Sequence, residues 1–294
     1  MHAIRSIQSV TLGVASLERA ARFYTEVWGL TIAGREGGMI YLRASGPAPY
    51  VLALSEAPRR ELIDVAFDCG SDGVLNEVHR SLKSAGLEIV SLPHRLRSPG
   101  GGQGLSFRDA EGRTFSLVAG AAPGRPDSPV PDRPVKLAHV VLNAMDAERS
   151  SDLFLRRLGF RLSDQTGMIH FLRCNADHHS IAFARTGNTS VNHIAFEMPS
   201  WDGLMRGAGR VKQAGHALEW GLGRHGPGRN VFAYFLDPDE FAIEYTTEVQ
   251  QIDEATHRAG TPADWHRPGN LDAWGFADPP SERIRRAMHG DAAR

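Results

Sequence analysis

The sequence has few cysteines, and this scarcity limits the ways in which the chain can be cross-linked. Only Cys69 and Cys174 occur among 294 residues, and neither has a partner at the two-residue spacing of metal or redox motifs. A disulfide framework is therefore not expected, and a reducing cytoplasm is the predicted location. Each cysteine is expected to be a small buried apolar residue.

Net charge and long apolar runs are lacking as well. Lys and Arg number 33 against 34 Asp and Glu, so the formal net charge is −1 and no overall field favours nucleic acid or an anionic membrane. No apolar run reaches the roughly 18 residues that a transmembrane helix needs, and the N-terminal segment lacks the pattern of a signal peptide. The hydrophobic content of 41% is typical of a globular protein. We expect neither nucleic acid nor a membrane as a partner.

The chain contains an internal repeat, which is the strongest organisational signal in the sequence. Three ordered pairs of segments match at an offset of about 130 residues, and they begin at residues 13 and 143, 62 and 191, and 106 and 234. Three matches in the same order at nearly one offset indicate a duplicated module. The length of the chain allows each copy to bury a core of its own.

Each half splits again into two units with the order strand, helix and three strands. Short alternating or apolar runs predict the strands, and Gly and Asp-Pro separate them. The helices are predicted to begin near good N-cap residues, namely Ser16, Ser71, Asp146 and Ser200. The sequence therefore predicts an α+β fold of two tandem modules, each built of two βαβββ units.

The density of Pro and Gly changes along the chain and suggests the boundaries of these modules. Residues 1–120 form the predicted N-terminal module, and residues 121–134 form an exposed Pro-rich linker. Residues 135–250 form the predicted C-terminal module. Residues 251–294 form a turn-rich tail, with a short helix from about Ser281, that is expected to pack on the body.

Three polar residues on predicted strands of the C-terminal module are candidate metal ligands. His139, His193 and Glu244 lie in otherwise apolar segments, where a buried carboxylate needs a partner or a metal. A lone histidine in such a strand is more often a hydrogen-bonded core residue, but a structural role would tend to recur in both copies. The aligned residues of the N-terminal module are Ser9, Asp64 and Ser116. The comparison favours a metal site that is present only in the C-terminal module.

The half-module repeat predicts how many ligands the protein supplies. His139 and His193 open equivalent strands, and the equivalent of Glu244 in the first unit is Ala182. A metal between the two units would then have three protein ligands and a blank fourth position. Two imidazoles and one carboxylate with open positions form the arrangement of non-haem Fe(II) oxygenases, whereas a structural zinc site is closed.

One segment carries a resemblance to a known family. GLGRHGPGRNVFAYFLDPDEFAIEYTTE, from Gly221, resembles the signature of the type I extradiol (catechol 2,3-) dioxygenases, in which a His, a Tyr nine residues later and a Glu ten beyond correspond to His225, Tyr234 and Glu244. CNADHHSIAF, with a His fourteen residues before the second ligand, is similar as well. The resemblance extends over essentially the whole chain. It implies the vicinal oxygen chelate (glyoxalase/bleomycin resistance/dioxygenase) superfamily, whose tandem modules form open mixed-sheet barrels.

The resemblance implies a reaction and assigns roles to several residues. It implies ring cleavage of a catechol by O2 at Fe(II), with Mn(II) as an alternative, in the degradation of aromatic compounds, and it implies a homo-oligomer, often a tetramer or larger. His179 is expected to act as the acid–base, because the pKa of an imidazole lies near working pH. His178 competes for that role, since alternation along a strand would point only one of the two inward. His225 and Tyr234 are expected to hydrogen-bond the substrate oxygens.

Substrate contacts are predicted less directly. Val141 and Trp220 are apolar residues near the ligands in sequence, and they favour a catechol with an apolar substituent. Arg229 could instead meet an anionic substituent. The segment also departs from the family signature at Arg229, Ala233 and Glu240, which affects the expected shape of the pocket and not the reaction.

Two other functions are compatible with parts of the pattern. A glyoxalase-like isomerase or lyase of the same superfamily would usually need a fourth protein ligand, which Ala182 does not provide. A non-catalytic small-molecule-binding relative would generally lack the three metal ligands. Bound metal and O2 uptake with catechols distinguish the three functions.

Overall fold

Two eight-stranded mixed sheets make up the protein. A computed structural model describes residues 4–125, 130–265 and 271–291. Residues 126–129 of the predicted linker, and residues 266–270 and 292–294 of the predicted tail, lie outside the described residues. Among the residues that the structure describes, no helix combines the length and the apolar character needed to cross a membrane. Cys69 and Cys174 are both free and buried, as the sequence predicted.

The first sheet comes from the N-terminal module and has the strand order β2-β3-β4-β1-β5-β8-β7-β6. Its two helices follow β1 and β5, and the first of them continues into a π-helical turn at Phe23–Val27. The elements are β1 Ser6–Val14, α1 Leu17–Arg22, β2 Thr31–Glu36, β3 Met39–Arg43, β4 Leu52–Glu56, β5 Glu61–Gly70, α2 Asp72–Ser84, β6 Ile89–Arg95, β7 Gln103–Arg108 and β8 Thr114–Ala119.

The second sheet repeats this order with the strands of the C-terminal module, as β10-β11-β12-β9-β13-β16-β15-β14. A last helix, α5, lies within the tail. The elements are β9 Lys136–Ala144, α3 Ala147–Arg157, β10 Arg161–Gln165, β11 Ile169–Arg173, β12 Ile181–Arg185, β13 Val191–Glu197, α4 Trp201–Gln213, β14 Trp220–Arg224, β15 Val231–Leu236, β16 Ala242–Thr247 and α5 Glu282–His289.

Both sheets have an antiparallel pair at the centre, β1 with β5 and β9 with β13. Each central strand is flanked on its other side by a parallel strand that belongs to its own unit. This arrangement confirms the predicted α+β fold of two tandem modules, each with two βαβββ units. The sheets are open and mixed.

Helix starts follow the predicted N-caps. The side chains of Ser16, Ser71, Asp146 and Ser200 each accept a hydrogen bond from a backbone N–H in the first turn. Such caps satisfy donors that would otherwise lack partners at a helix start. The tail helix begins in the same way at Ser281, near the position predicted for it.

Alternation along the strands separates a helix-side core from the opposite face of the sheet, which we call the inner face. In β9, Val140 and Leu142 belong to the main core, whereas His139 and Val141 point to the opposite face. The same core extends across both modules. At their contact Trp28 stacks on Tyr245, with ring centroids 3.7 Å apart. The inner face of the second sheet is therefore free to carry polar residues.

The tail crosses the second module after β16 ends. The backbone N–H of Ile252 donates to the carbonyl of Ala176, and Gly260 pairs with Asp164 beside β10. Helix α5 then packs against the same module, where Ile284 and Ala287 are buried with Phe232 and other residues of β15 and β16. The described part of the tail thus lies on the body of the protein.

Candidate metal centre

The strand register brings the three predicted ligands together. His139 in β9 faces Ala195 in β13, and Ala195 in turn pairs with Glu244 in β16. His193 lies two residues before Ala195 and therefore shares its face of the sheet. One donor atom from each of His139, His193 and Glu244 lies within 4.8 Å of the others.

The three side chains form a compact, buried cluster. The Nε2 atoms of His139 and His193 lie 3.3 and 3.4 Å from Oε2 of Glu244. The exposed fractions of the three residues are 1%, 9% and 0% in the same order. A carboxylate held this far from water requires a compensating charge or hydrogen bonds.

Hydrogen bonds orient the donor atoms toward a common point. Nδ1–H of His193 donates to Oδ1 of Asn192 over 2.8 Å, which leaves the lone pair of Nε2 for the cluster. Asn230 donates from Nδ2 to Oε1 of Glu244 over 3.2 Å. The other oxygen, Oε2, is buried and has no hydrogen-bond partner among the described residues. A cation between the two imidazoles would satisfy it, so the residues fit a divalent metal.

The charge state of Glu244 agrees with this assignment. Burial alone would raise the pKa of the carboxyl, but the neighbouring rings of His139 and His193 outweigh it and lower the pKa below its ordinary value. Burial lowers the pKa of His193. An ionised carboxylate is the form in which Glu244 can bind a metal.

The register also confirms the alignment of the two modules. Ser9 pairs with Ala66, and Ala66 pairs with Ser116, as His139 and Glu244 pair with Ala195. Asp64 faces Thr11 in β1, and the equivalent pair in the second sheet is His193 with Val141. The serine and aspartate positions of the first sheet are therefore the structural equivalents of the three candidate ligands.

The blank position lies where the half-module repeat predicted it. Ala182 in β12 pairs with Val141, as Glu244 pairs with Ala195. Ala182 is fully buried and packs in an apolar cluster with Val141, Ala184, Ile169 and Phe171. The inner face thus has a polar side, which carries the three ligands, and an apolar side.

Two histidines lie side by side just before β12. The ring of His179 is 4.0 Å from that of His139, centroid to centroid, and 5.2 Å from that of Phe171. The ring of His178 instead bonds to Asp164, with 2.7 Å between Nε2 and Oδ2. The two rings also contact each other through their Nδ1 atoms at 3.0 Å. Neither residue belongs to a strand, so strand alternation does not separate them, but only His179 contacts the ligand cluster.

Gly228 packs against this pair of rings. Its φ of 78° favours glycine, and an added Cβ would lie 3.1 Å from Nδ1 of His178 and 3.3 Å from Cε1 of His179. Burial lowers the pKa of His178, and it lowers the pKa of His179 well below the ordinary value, with the neighbouring histidines adding to the effect. Both rings are therefore neutral near pH 7.

His225 and Tyr234 form a second pair at the edge of the cluster. Nδ1–H of His225 donates to the carbonyl of Leu271 over 3.1 Å, so its Nε2 accepts from the hydroxyl of Tyr234 over 3.0 Å. The same hydroxyl is 3.5 Å from Nε2 of His193. Burial lowers the pKa of His225 to about 4, and burial next to Glu244 raises the pKa of Tyr234 well above 10.

The three predicted substrate contacts lie in different surroundings. Val141 is buried on the apolar side of the inner face. Trp220 stacks on Tyr234, with ring centroids 5.0 Å apart, and its ring is 5.3 Å from that of His225. Arg229 is exposed, has a φ of 52°, and accepts a hydrogen bond from Arg224 through its carbonyl.

Several residues around the site were not predicted from the sequence. Asp164, Asn192, Asn230 and Gly260 orient site histidines or Glu244 directly or through one another. The adjacency of Asn192 to His193 is a local signal, because a ligand histidine needs a partner for its second nitrogen. Asp164 and Gly260 are brought in by tertiary structure alone.

Comparisons with known proteins place the chain in a family. A sequence model described as the Glyoxalase/Bleomycin resistance protein/Dioxygenase superfamily matches residues 136–245. The solved structure of the Mn(II)-bound glyoxalase from Novosphingobium aromaticivorans is 32% identical, with a TM-score of 0.90, over 96% of this chain and 94% of that chain. The chain therefore belongs to the glyoxalase/bleomycin resistance protein/dioxygenase superfamily.

Curated relatives define its position within the family more closely. Metapyrocatechase 2 from Cupriavidus necator is 27% identical over 93% of this chain and 90% of that protein. An iron-dependent extradiol dioxygenase from Rhodococcus jostii is 25% identical over 85% of this chain and 91% of that protein. These relatives confirm the predicted kinship with extradiol ring-cleavage dioxygenases, which are oxidoreductases. Together with the His–His–Glu cluster, they indicate a metal-dependent enzyme.

Proposed function

We propose that this protein cleaves the ring of a catechol next to its two hydroxyl-bearing carbons, using O2 at one divalent metal held by His139, His193 and Glu244. Both oxygen atoms of O2 enter the ring-opened product, so no further reductant is needed. The observation that carries the proposal is a buried three-ligand cluster whose fourth equivalent position is Ala182. This leaves coordination positions for the substrate and for O2.

The proposed metal is Fe(II). Two imidazoles and one carboxylate suit both Fe(II) and Mn(II), and names of similar proteins mention each metal. Held by His139, His193 and Glu244, such a metal would supply a route for electron transfer between the ring and O2. The iron-dependent relative and the kinship with extradiol dioxygenases support iron over manganese.

The surrounding side chains have the properties that the reaction requires. His179 is neutral and lies against His139, so it can take a proton from a substrate hydroxyl and return it to a product oxygen. The hydroxyl of Tyr234 and the ring of His225 are joined by a 3.0 Å hydrogen bond at the other side of the cluster. They would orient the bound oxygens of the substrate.

The proposed substrate is a catechol with an apolar substituent. Val141, Phe171 and Ala182 form the apolar side of the inner face and offer no charged partner to a carboxylated ring. Arg229, the residue that could recognise an anionic substituent, is exposed to solvent. Degradation of aromatic compounds is the corresponding biological role.

A homo-oligomer in the cytoplasm is a further part of the proposal. Large apolar side chains are exposed around the tail and α4, and Trp201 contacts Trp274 with ring centroids 5.0 Å apart. Apolar exposure of this kind is typical of surfaces that meet another chain. The exposed side chains are Trp201, Met205, Leu271, Trp274 and Phe276. Light scattering during gel filtration measures the subunit number.

The glyoxalase-like alternative is supported by the similarity to the Mn(II)-bound glyoxalase from Novosphingobium aromaticivorans. Such an isomerase or lyase would usually need a fourth protein ligand, and a small buried alanine occupies that position here. A binding protein without catalysis would have little use for a buried unpaired carboxylate oxygen at Glu244. Both alternatives predict no consumption of O2.

The test is O2 uptake by the metal-loaded protein. The full chain is loaded with Fe(II) or Mn(II) without air and then given catechol and its alkyl, aryl and carboxylated derivatives. We expect one O2 consumed per catechol, a yellow ring-opened product, and higher kcat/KM for the apolar derivatives. Full metal occupancy with no O2 uptake on any of these substrates would contradict the proposal.

The Glu244→Ala variant tests the ligand assignment independently of the substrate. Its expected result is loss of bound metal and of O2 uptake, because the remaining imidazoles cannot replace the carboxylate. The matched control is Glu18→Ala, which removes an exposed carboxylate of the N-terminal module and is expected to keep full occupancy. Full metal content in Glu244→Ala would remove Glu244 from the ligand set.

A further inference from the structure

A continuous row of hydrogen bonds leads from the tail to His179. The backbone N–H of Gly260 donates to Oδ1 of Asp164 over 2.6 Å. The other oxygen of Asp164 is 2.7 Å from Nε2 of His178, and Nδ1 of His178 is 3.0 Å from Nδ1 of His179. The exposed fractions of Asp164, His178 and His179 are 6%, 0% and 3%.

The chemistry of the groups fixes the direction of these hydrogen bonds. The carboxylate of Asp164 can only accept, so Nε2 of His178 carries a proton and donates it. Since the ring of His178 is neutral, its Nδ1 then has a lone pair and accepts from Nδ1–H of His179. Consequently Nε2 of His179 is the nitrogen without a proton.

We propose that Asp164 and His178 are positioning residues that hold His179 in the Nδ1–H tautomer, so that its Nε2 is the basic atom available to the substrate. The importance of this nitrogen rests on the function proposed above, in which His179 accepts a proton from a substrate hydroxyl. In the Nε2–H tautomer, Nε2 could donate a proton to the substrate but could not accept one from it.

The tail forms part of the same arrangement. Its Gly260 bonds Asp164 through the N–H and Gln165 through the carbonyl, and the latter bond is 2.9 Å long. An added Cβ at Gly260 would lie 2.3 Å from Oδ1 of Asp164, so only glycine allows this approach. His257 also contacts the carbonyl of Ser163 at 2.9 Å. The proposal therefore gives the tail a role in holding Asp164.

The N-terminal module provides an internal comparison. Gly34 pairs with Tyr41 as Asp164 pairs with Phe171, so glycine occupies the position of the carboxylate. The carbonyl of Val51 bonds the N–H of Val10 as that of Ser180 bonds Val140, which places Pro49 and Tyr50 at the positions of the two histidines. The row of hydrogen bonds is therefore replaced in the module that lacks the candidate ligands. If the row only supported the fold, it would be expected in both modules and not only in the one that carries the candidate ligands.

The test measures the tautomers directly. The full chain is labelled with ¹⁵N-histidine and loaded with diamagnetic Zn(II), and long-range ¹H–¹⁵N correlations identify the protonated nitrogen of each ring. His179→Asn assigns the signals of His179. In the unaltered protein we expect Nδ1–H at His179 and Nε2–H at His178. An Nε2–H ring at His179 in this spectrum overturns the proposal without any variant.

The Asp164→Asn variant reverses the polarity of the row. An amide can keep the bond from Gly260 through its oxygen and donate from Nδ2 to His178, which moves the proton of His178 to Nδ1 and that of His179 to Nε2. We expect the changed tautomer, unchanged metal content, a KM close to that of the unaltered protein, and a kcat lower by about 10²–10⁴-fold. A tautomer that remains Nδ1–H refutes the proposal.

Two further variants separate this role from a structural one. In His178→Gln the amide can donate to Asp164 and accept from His179, so the tautomer and most of kcat should be retained. Asp177→Asn is the matched control, because Asp177 binds Gln251 of the tail over 2.7 Å and has no hydrogen bond to Asp164 or the two rings. It should leave the tautomer unchanged, and a change there as large as in Asp164→Asn would contradict the proposal. If Asp164→Asn changes the tautomers as expected but the unaltered protein takes up no O2 with any catechol, the proposed function is refuted and the positioning role is not.

Discussion

Ionisation of Asp64 is expected to destabilise the fold as pH rises, and Asp64→Asn should remove this effect. This carboxyl stands where His193 stands in the other module, and Ser116 donates to it over 2.8 Å. Burial raises its pKa from 3.8 to about 7, although the hydrogen bond from Ser116 lowers it in part. The folded protein therefore favours the protonated carboxyl, and ionisation above the folded pKa destabilises the fold.

The size of the effect follows from the pKa difference. One pKa unit corresponds to about 1.4 kcal/mol, so a shift from 3.8 to about 7 gives an upper limit of about 4 kcal/mol. Stability is greatest below pH 4 with respect to this group and is lost as pH rises through about 7. About two thirds of the loss falls between pH 5 and pH 8, and partial solvent exposure of Asp64 reduces it to about 1–2 kcal/mol.

The assay is urea unfolding of metal-free protein at pH 5 and pH 8, for the unaltered chain and Asp64→Asn. The variant should gain about 1–2 kcal/mol relative to the unaltered chain when the pH is raised, because asparagine does not titrate. Ser106→Ala is the control: it removes the 2.9 Å hydrogen bond to Ser116 without removing a charge, so its effect should be similar at both pH values. If the free energies of unfolding of Asp64→Asn and the unaltered chain differ by the same amount at both pH values, ionisation of Asp64 does not destabilise the fold.

Two further outcomes are expected. His179→Asn should keep bound metal and substrate affinity but lower kcat by about 10²–10⁴-fold, because it removes the proposed acid–base; steady-state kinetics and metal analysis check this, and unchanged turnover would exclude His179 from the mechanism. Arg113→Met should cost about 3–5 kcal/mol in urea unfolding, since the buried guanidinium joins Asp109 of the first module to Ser150 of the second and lies over Phe183. A loss under about 1 kcal/mol would show that this contact between modules contributes little.

Much of the fold could be predicted because the signals for it are local. A serine or aspartate that caps a helix acts within one turn, and Ser16, Ser71, Asp146 and Ser200 all cap the helices predicted to follow them. The repeat added long-range information, since equivalent strands must share one register. The π-helical turn at Phe23–Val27 has no comparable local signal.

The residues of the candidate site likewise include some that the sequence predicts and some that it does not. His139, His193 and Glu244 were identifiable because the other copy lacks them, and Ala182 because the half-modules share a register. Asp164 could not be identified, since its partners are a histidine fourteen residues later and a backbone N–H 96 residues later. An aspartate in a strand gives no sign of which distant group it will meet.

The two modules also show that the sheet positions the site without depending on it. Tyr234 pairs with Glu244 as Ser106 pairs with Ser116, so the same register holds whether the inner face carries ligands or not. In the first module Asp64, Ser106 and Ser116 bond one another, and no cation is needed to satisfy them. Since equivalent backbones carry both sets of side chains, the metal is not what holds the strands in place. The fold supplies the positions, and the side chains at those positions decide whether the module can bind a metal.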